Sequence, residues 1–415
     1  MSIRGLQGKH ILLGVTGGVA AYKAAALASR LTQAGAVVDV VMTEAATRLV
    51  APLTFQAVTQ REVHTDLFLL PPETKPGAPA GAIHIPHIAL AKAADLLLIA
   101  PATANTIAKL AHGLADNLLT SLALASPAPL LVAPAMESGM WAHPATQANI
   151  VVLSARGATL VGPAAGHLAS GAAGVGRMSE PEEILEMARV VLGRGGDLAG
   201  RRVVVSAGGT REAIDPVRFV GNRSSGKMGY ALALAARDRG AGVTLVTAAG
   251  LPDPVGVESL HVESAAEMCD AVLAAADGAD ALVMAAAVAD YRPAEMAAQK
   301  IKKTGTELVL HLARTADILA EVARQRQAGR GPQVTVGFAA ETQDLLSNAR
   351  EKLQRKRLDL IAANDVTAAG AGFAADTNRV TLLAADGSAE SLPLMSKDDV
   401  AHEIWDRVLR LLRNQ

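Results

Sequence analysis

Cationic side chains gather in the second half of this 415-residue chain in a pattern that suits a polyphosphate. Arg211, Arg218 and Arg223 follow a Gly208-Gly209-Thr210 turn, and the stretch ends at Ser224-Ser225-Gly226-Lys227-Met228-Gly229. A β-branched run before the turn reads as a buried strand whose backbone must approach something closely, the geometry of a phosphate site. The small residues after it would open a helix, Tyr230 to Arg239, with free N–H groups that attract an anion. Lys300, Lys302 and Lys303, then Lys352, Arg355, Lys356 and Arg357, extend the set toward a triphosphate, although each run alone also suits a solvated face. No Gly-x-x-x-x-Gly-Lys-Ser/Thr motif is present. Ala286 to Val288 offer small residues against which a flat group could slide, and Asp290 could accept from a ribose or base.

The first half is poorer in charge. His84 and His87 lie three apart, but Pro86 separates them and no cysteine or acidic cluster completes a metal set. At a helix start, His87 reads either as a general base near neutral pH or as a structural histidine. Thr16, Gly17 and Thr43 fall at the carboxyl ends of two strands and face one crevice; a Gly-Gly turn by itself is equally a plain tight turn.

The elements that position these residues alternate strand and helix throughout, which makes the chain α/β. Strands read at His10 to Val15, Val37 to Met42, Asp95 to Ala100 and Leu130 to Ala133. Helices read at Ala20 to Gln33, Glu44 to Ala57 and Glu182 to Leu192, and one begins near His87. Leu70 to Gly81 is a Pro- and Gly-rich loop suited to closing over a site, and Gly162 to Met178 a glycine-rich flap. Gly193 to Asp197 reads as a linker. Beyond it come strands at Val203 to Ser206, Gly242 to Thr247, Ala281 to Met284, Val334 to Phe338, Leu358 to Ala362 and Val380 to Ala384, then a terminal helix, Val400 to Leu412.

Composition narrows the function. A formal net charge of −1 recruits neither nucleic acid nor an anionic membrane, and 2 % aromatic residues leave few stacking platforms. The single cysteine, Cys269, excludes an internal disulfide framework and fits a reducing cytoplasm. Prolines 127, 129 and 134 break the one uncharged stretch that approaches membrane length. Between Gly81 and Ile150 only Lys92, Asp95, Lys109, Asp116 and Glu137 are charged; five charges cannot clothe that surface, which predicts an oligomer.

Several long motifs occur in an order that resembles one family, the bifunctional bacterial phosphopantothenoylcysteine decarboxylase and phosphopantothenate–cysteine ligase. They are Gly14 to Lys23, His87-Ile88, Ala100 to Asn105, Pro134 to Trp141, Ala207 to Thr210, Asn222 to Gly229, Ala285 to Tyr291, Lys300 to Lys303 and Gly337 to Thr342. The resemblance implies two Rossmann-like domains: a flavodoxin-like flavoprotein domain over 1–192 and, after a linker at 193–199, a CTP-binding ligase domain over 200–415. For the first domain it implies FMN, held by Thr16, Gly17, Gly18, Thr43, Pro101, Ala102, Thr103, Ala104 and Asn105. A cysteinyl carboxylate has no electron sink, so oxidation of the side chain to a thioaldehyde by the flavin would precede loss of carbon dioxide, and the enethiol left behind would then be reduced. His87 matches the family's active-site histidine, and Pro134, Ala135, Met136, Glu137, Met140 and Trp141 match the motif that binds the substrate carboxylate.

For the second domain the resemblance implies activation of 4′-phosphopantothenate by CTP and Mg²⁺, with attack of cysteine's amine on the acyl cytidylate. Lys300 matches the lysine that forms the intermediate and Asn222 the asparagine needed for its breakdown. Arg218 is assigned to substrate, and Met284, Ala285, Ala286, Asp290, Ala316, Asp317, Ile318, Leu319, Phe338, Lys352 and Lys356 to CTP. Homo-oligomers are implied too, from trimeric flavin domains and dimeric ligase domains up to a dodecamer. Two positions depart from the family pattern: Glu137 replaces an asparagine, and Ser170 the flap cysteine that gives the enethiol a proton. A serine hydroxyl is a far weaker acid than a thiol, so water, His167 or another group would have to serve. Two rival readings are a regulatory flavoprotein of the phosphatase-inhibitor kind and a peptidyl-cysteine decarboxylase that stops at the enethiol.

Overall fold

Short apolar runs separated by glycine turns fold here as two mainly parallel sheets, each in its own compact unit, Met1–Leu192 and Gly193–Gln415. The structure, a computed structural model, describes residues 3–67, 86–302, 307–341, 345–365, 372 and 375–413. The loop Leu70 to Gly81 and His84 lie outside the described residues.

The first unit contains β1 (His10–Val15), β2 (Val37–Met42), β3 (Val63–His64), β4 (Leu96–Ala102), β5 (Leu130–Pro134) and β6 (Thr159–Leu160), in the sheet order β3-β2-β1-β4-β5-β6. All five pairings are parallel. Alternate residues of each strand face opposite layers. Leu13, Val15, Val38 and Val40 pack beneath Leu27, Ala28 and Leu31 of the helix Ala21–Gln33. Leu12, Val41, Leu97 and Ile99 meet Ile107, Leu119 and Leu122 on the other side. Order reverses between β1 and β4, so loops leave their carboxyl ends in opposite directions and open a crevice.

One helix expected over Glu44 to Ala57 is two, Glu44–Thr47 and Pro52–Thr59. Pro52 starts the second, and the residue before it, Ala51, is extended with ψ 137°, as steric conflict with the proline ring requires. The glycine-rich flap is an antiparallel hairpin, β7 (Ala164–His167) with β8 (Ala173–Arg177).

The second unit contains β9 (Arg202–Ala207), β10 (Arg211–Ala213), β11 (Phe219–Gly221), β12 (Gly242–Thr247), β13 (Glu258–His261), β14 (Ala281–Met284), β15 (Tyr291–Pro293), β16 (Leu312–Arg314), β17 (Val334–Glu341), β18 (Leu360–Asp365), β19 (Thr377–Asn378), β20 (Val380–Ala384), β21 (Ala389–Ser391) and β22 (Met395–Ser396). Its main sheet runs β13-β12-β9-β14-β17-β18-β20-β21, antiparallel only at the last two steps. Again the order reverses beside the first strand, between β9 and β14. The edge strand β13 escapes sequence reading because Glu258 and His261 interrupt any apolar run. β10–β11 and β15–β16 are separate two-stranded ribbons.

The helix Lys227–Asp238 begins three residues earlier than its apolar pattern suggests, since Gly226 takes a left-handed conformation (φ 79°) and turns the chain into it. It packs against the terminal helix Lys397–Arg413, whose Trp405 is fully buried and donates its Nε1–H to the Leu232 carbonyl at 2.8 Å. Trp405→Ala should therefore destabilise the second unit by about 3–5 kcal/mol. Chemical denaturation should show that unit's transition shifting while the first unit's stays in place.

Candidate functional site

The crevice of the first unit forms a cavity of about 580 Å³, a size suited to a small molecule. Gly17 and Gly18 after β1, Thr43 after β2, Thr103, Ala104 and Asn105 after β4, and Ala135, Met136 and Met140 after β5 line it. Thr43 and Thr103 are helix N-caps whose hydroxyls accept from the N–H groups of Ala46 and Thr106. Thr16 is buried and acts from behind: its hydroxyl donates to the Pro101 carbonyl at 2.7 Å and accepts from the Thr103 N–H at 3.1 Å. Pro101 and Ala102, buried within β4, likewise position the lining without joining it. Glu44, Ala45 and Thr106 line it as well, and Lys109 and Asp116, paired at 2.6 Å, complete the rim with Asn117, residues that sequence reasoning missed because their motif carries only ordinary helix-end polarity.

Pro134 closes β5, and Glu137 stands at the start of the helix Ser138–Ala142. The flap reaches this point through its glycines. Met136 N–H donates to the Gly176 carbonyl at 2.9 Å, and a Cβ on Gly176 would lie 2.2 Å from the Met136 carbonyl oxygen. The approach brings Ser170 to Glu137, its hydroxyl donating to Oε2 at 2.9 Å, while the Ser138 hydroxyl reaches Oε1 at 3.3 Å. Glu137 and Ser170, singled out separately by the sequence, thus touch each other. His87 lies in the first turn of the helix Pro86–Ala93, half-buried and outside the cavity lining, as is Trp141.

The second unit's crevice is larger, about 1100 Å³, and its character is different. Among the described residues seven cations line it (Arg223, Lys227, Arg314, Lys352, Arg355, Lys356, Lys397) against three carboxylates (Asp290, Asp317, Glu351), an excess that favours a polyanion. Asn222 to Gly229 form one wall at the N-terminus of the helix Lys227–Asp238. Met284, Ala285, Ala286 and Asp290 form the next, and Ala316, Asp317, Ile318, Leu319 and Phe338 the opposite one. Lys352 Nζ donates to the Phe338 carbonyl at 2.8 Å, and Lys356 pairs with Asp317, the N-cap of the helix Ile318–Gln327. Burial pushes the Lys356 ammonium below the usual lysine range, with Asp290 opposing the shift. Lys397 is lowered by burial and then by Lys227, and Asp376 opposes it. An incoming anion would oppose both shifts by favouring the charged ammonium.

The turn Gly208-Gly209-Thr210 does not line this cavity. What its backbone approaches is protein: Cβ atoms on Gly208 and Gly209 would lie 2.5 Å from the Ala249 nitrogen and 2.7 Å from the Asn222 carbonyl oxygen. Close approach was legible; its partner was not. Thr210, fully buried, accepts the Ala289 N–H at 2.9 Å, and Ser206 accepts the Ala286 N–H at 3.1 Å. Asn222 Nδ2 donates to the Ala287 and Val288 carbonyls, both at 3.2 Å. Lys300 is exposed and Arg218 is held by Asp215; neither lines the cavity. No three His, Cys, Asp or Glu side chains gather as a metal site among the described residues.

Residues 2–192 match a family model described as flavoprotein, and residues 198–412 one described as the DNA/pantothenate metabolism flavoprotein C-terminal domain. The chain is 49 % identical over 410 residues to the coenzyme A biosynthesis bifunctional protein CoaBC of Bacillus subtilis, covering 98 % of each chain. It is 47 % identical over 418 residues to the protein of that name from Mycobacterium tuberculosis, covering 97 % of each. A crystal structure of the C-terminal domain of a coenzyme A biosynthesis bifunctional protein is 38 % identical, with a TM-score of 0.45, and covers 53 % of this chain and 100 % of its own.

Thr210→Val keeps the side-chain shape and removes the acceptor for the buried Ala289 N–H. It should cost about 1–3 kcal/mol and speed amide exchange at Ala289 more than in the strands of the same sheet.

Proposed function

The chain belongs to the family of coenzyme A biosynthesis bifunctional proteins, and from that premise we propose how its two crevices divide two consecutive steps. In the second unit CTP activates 4′-phosphopantothenate as an acyl cytidylate, which cysteine's amine then attacks; in the first, an FMN site decarboxylates the product to 4′-phosphopantetheine. The observation that carries this reading is the contrast between the cavities among the described residues: one framed by threonine-capped helices, with one cation (Lys109) against two carboxylates (Glu44, Asp116), the other with seven cations against three carboxylates and nearly twice as large.

The first cavity fits a flavin mononucleotide. Its Gly17, Gly18 and Thr103 end presents helix N-termini suited to a phosphate, and Ala135, Met136 and Met140 offer an apolar wall for a flat ring. A bound flavin supplies the two-electron oxidation that gives the cysteinyl carboxylate its electron sink. Around it, Asn105 and Asn117 orient polar edges, the Pro134 to Trp141 segment seats the substrate carboxylate, and His87 moves the proton at the substrate's sulfur-bearing side chain. The contact between Ser170 and Glu137 places an exchangeable hydroxyl proton in the flap for the enethiol, with the Glu137 carboxyl group orienting that hydroxyl.

In the second cavity the lysines and the Asn222 to Gly229 wall take the triphosphate. Asp290 and the Met284 to Ala286 backbone take the nucleoside, and Lys300 offsets charge as the carboxylate attacks. Asn222, fixed by two backbone carbonyls, is placed to hold the acyl group. Mg²⁺ would be carried mainly by phosphate oxygens and water, as is usual where carboxylate ligands are scarce. The reading places the reactions in the cytoplasm, in keeping with one buried thiol, Cys269; among the described residues no helix is long and apolar enough to cross a membrane. It also makes the protein a homo-oligomer, which the exposed Leu49, Leu53 and Val151 in one unit and Val217, Phe219 and Val309 in the other support.

Purified protein should be yellow, and with CTP, cysteine and 4′-phosphopantothenate it should release pyrophosphate and carbon dioxide. His87→Asn should abolish carbon dioxide release and leave pyrophosphate release intact, whereas Lys300→Gln should lower pyrophosphate release about 10²- to 10³-fold and spare decarboxylation of supplied 4′-phosphopantothenoylcysteine. Loss of both activities in either variant would refute the division of labour. Glu137→Gln should let the enethiol accumulate; complete reduction in that variant would remove the carboxyl group from the proton path.

A further inference from the structure

The side chain of Asp215 is completely buried at the tip of the β10–β11 ribbon, and its two oxygens do different things. Oδ1 closes the tip, accepting the N–H groups of Val217 and Arg218, both at 2.9 Å. Oδ2 faces another segment: it accepts the Ile301 N–H at 3.1 Å, together with Nε and Nη2 of Arg218 at 2.9 and 2.5 Å. Nη2 of Arg218 also donates to the Ile301 carbonyl at 2.8 Å, so both backbone groups of Ile301 are gripped. A further bond, Ala297 N–H to the Ile214 carbonyl at 3.0 Å, ties the same segment to the same tip. The residue before Ile301 is Lys300, and the base of the ribbon leads directly into Asn222, itself fixed to the Ala287 and Val288 carbonyls.

We propose that Asp215 is a positioning residue for the ligase reaction: through Oδ2 and Arg218 it holds the backbone next to Lys300 at a set distance from Asn222. The inference rests on the role of Lys300 given above. A lysine on an exposed segment has four rotatable side-chain bonds, and a mobile backbone beneath them would scatter its ammonium widely. Fixing Ile301 by both its N–H and its carbonyl removes the backbone part of that freedom. The carboxyl group is ionised throughout the working range, because the Arg218 side chain and then the N–H groups around it hold it far below the usual carboxylate range. Its grip is therefore insensitive to pH. A misplacement of about 1 Å at such a group costs on the order of 10²-fold in rate.

The division between the two oxygens supplies the test. Asp215→Asn can keep the Oδ1 contacts that close the tip while placing an amide donor against the N–H of Ile301. In the full-length protein, exchange of the Ile301 amide should rise at least about tenfold, as expected when a hydrogen bond of ordinary strength is lost, while the Val217 and Arg218 amides keep their protection. The kcat for pyrophosphate release should fall about 10²-fold with KM for CTP nearly unchanged, and decarboxylation of supplied 4′-phosphopantothenoylcysteine should be unaffected. Ile301→Pro removes the same N–H without altering Asp215 and should reproduce the kcat loss; it also serves if the first variant folds poorly. Unchanged exchange at Ile301, unchanged kcat in both variants, or a rise in KM alone would overturn the proposal. If Lys300→Gln keeps normal pyrophosphate release, the role of Lys300 is what fails, and the exchange of Ile301 still decides whether Asp215 holds the segment.

Discussion

Buried hydroxyls at the end of the first strand hold open the crevice in each unit. Where a parallel sheet reverses its strand order, the chains leaving the two central strands diverge, and backbone N–H groups just beyond the ladder lose their partners. Such groups cannot stay buried and unpaired without a cost of roughly 1–3 kcal/mol each. In the first unit Thr16 donates to Pro101 near the end of β4 and accepts from Thr103 in the loop that follows. In the second, Ser206 and Thr210 accept from the loop after β14. The crevice widens only past these tethers, so its floor is tied by hydrogen bonds where its rim is lined by loops.

On this common frame the two cavities diverge through what is placed around the rim. The first has helix caps, small residues and methionines, with Glu44 and the Lys109–Asp116 ion pair at its edge. The second concentrates cations faster than carboxylates, and partial burial already weakens the hold of two of its lysines on their protons. An anion bound there would stabilise both ammonium groups against that burial and offset the surrounding excess of positive charge. The frame sets where a ligand goes; side chains outside the sheet decide which ligand it is.

Glycine does separate work in the two rims. In the flap it permits β8 to lie against the Met136 carbonyl, which carries Ser170 to Glu137. After β9 it lets the turn press against Ala249 and Asn222. Both are contacts of protein with protein, and each fixes a side chain assigned to the chemistry without touching a ligand itself.

The strand-and-helix alternation, the β-branched and apolar runs of the central strands, and the long motifs were readable in one dimension because they depend on local pattern: burial on both faces demands continuous apolar residues, and a family motif is contiguous. The break at Pro52 depended equally on neighbours in sequence and could have been read from that residue alone. Tertiary structure decided the rest. Whether a Gly-Gly turn faces phosphate or protein, that Glu137 and Ser170 meet, and that Asp215 grips the segment beside Lys300 are contacts across 13 to 86 positions of chain. Their existence depends on which loops the two sheets bring to the same edge. No local propensity encodes that, because the free energy that selects such contacts comes from packing the whole layer, and the individual bonds form only once it has.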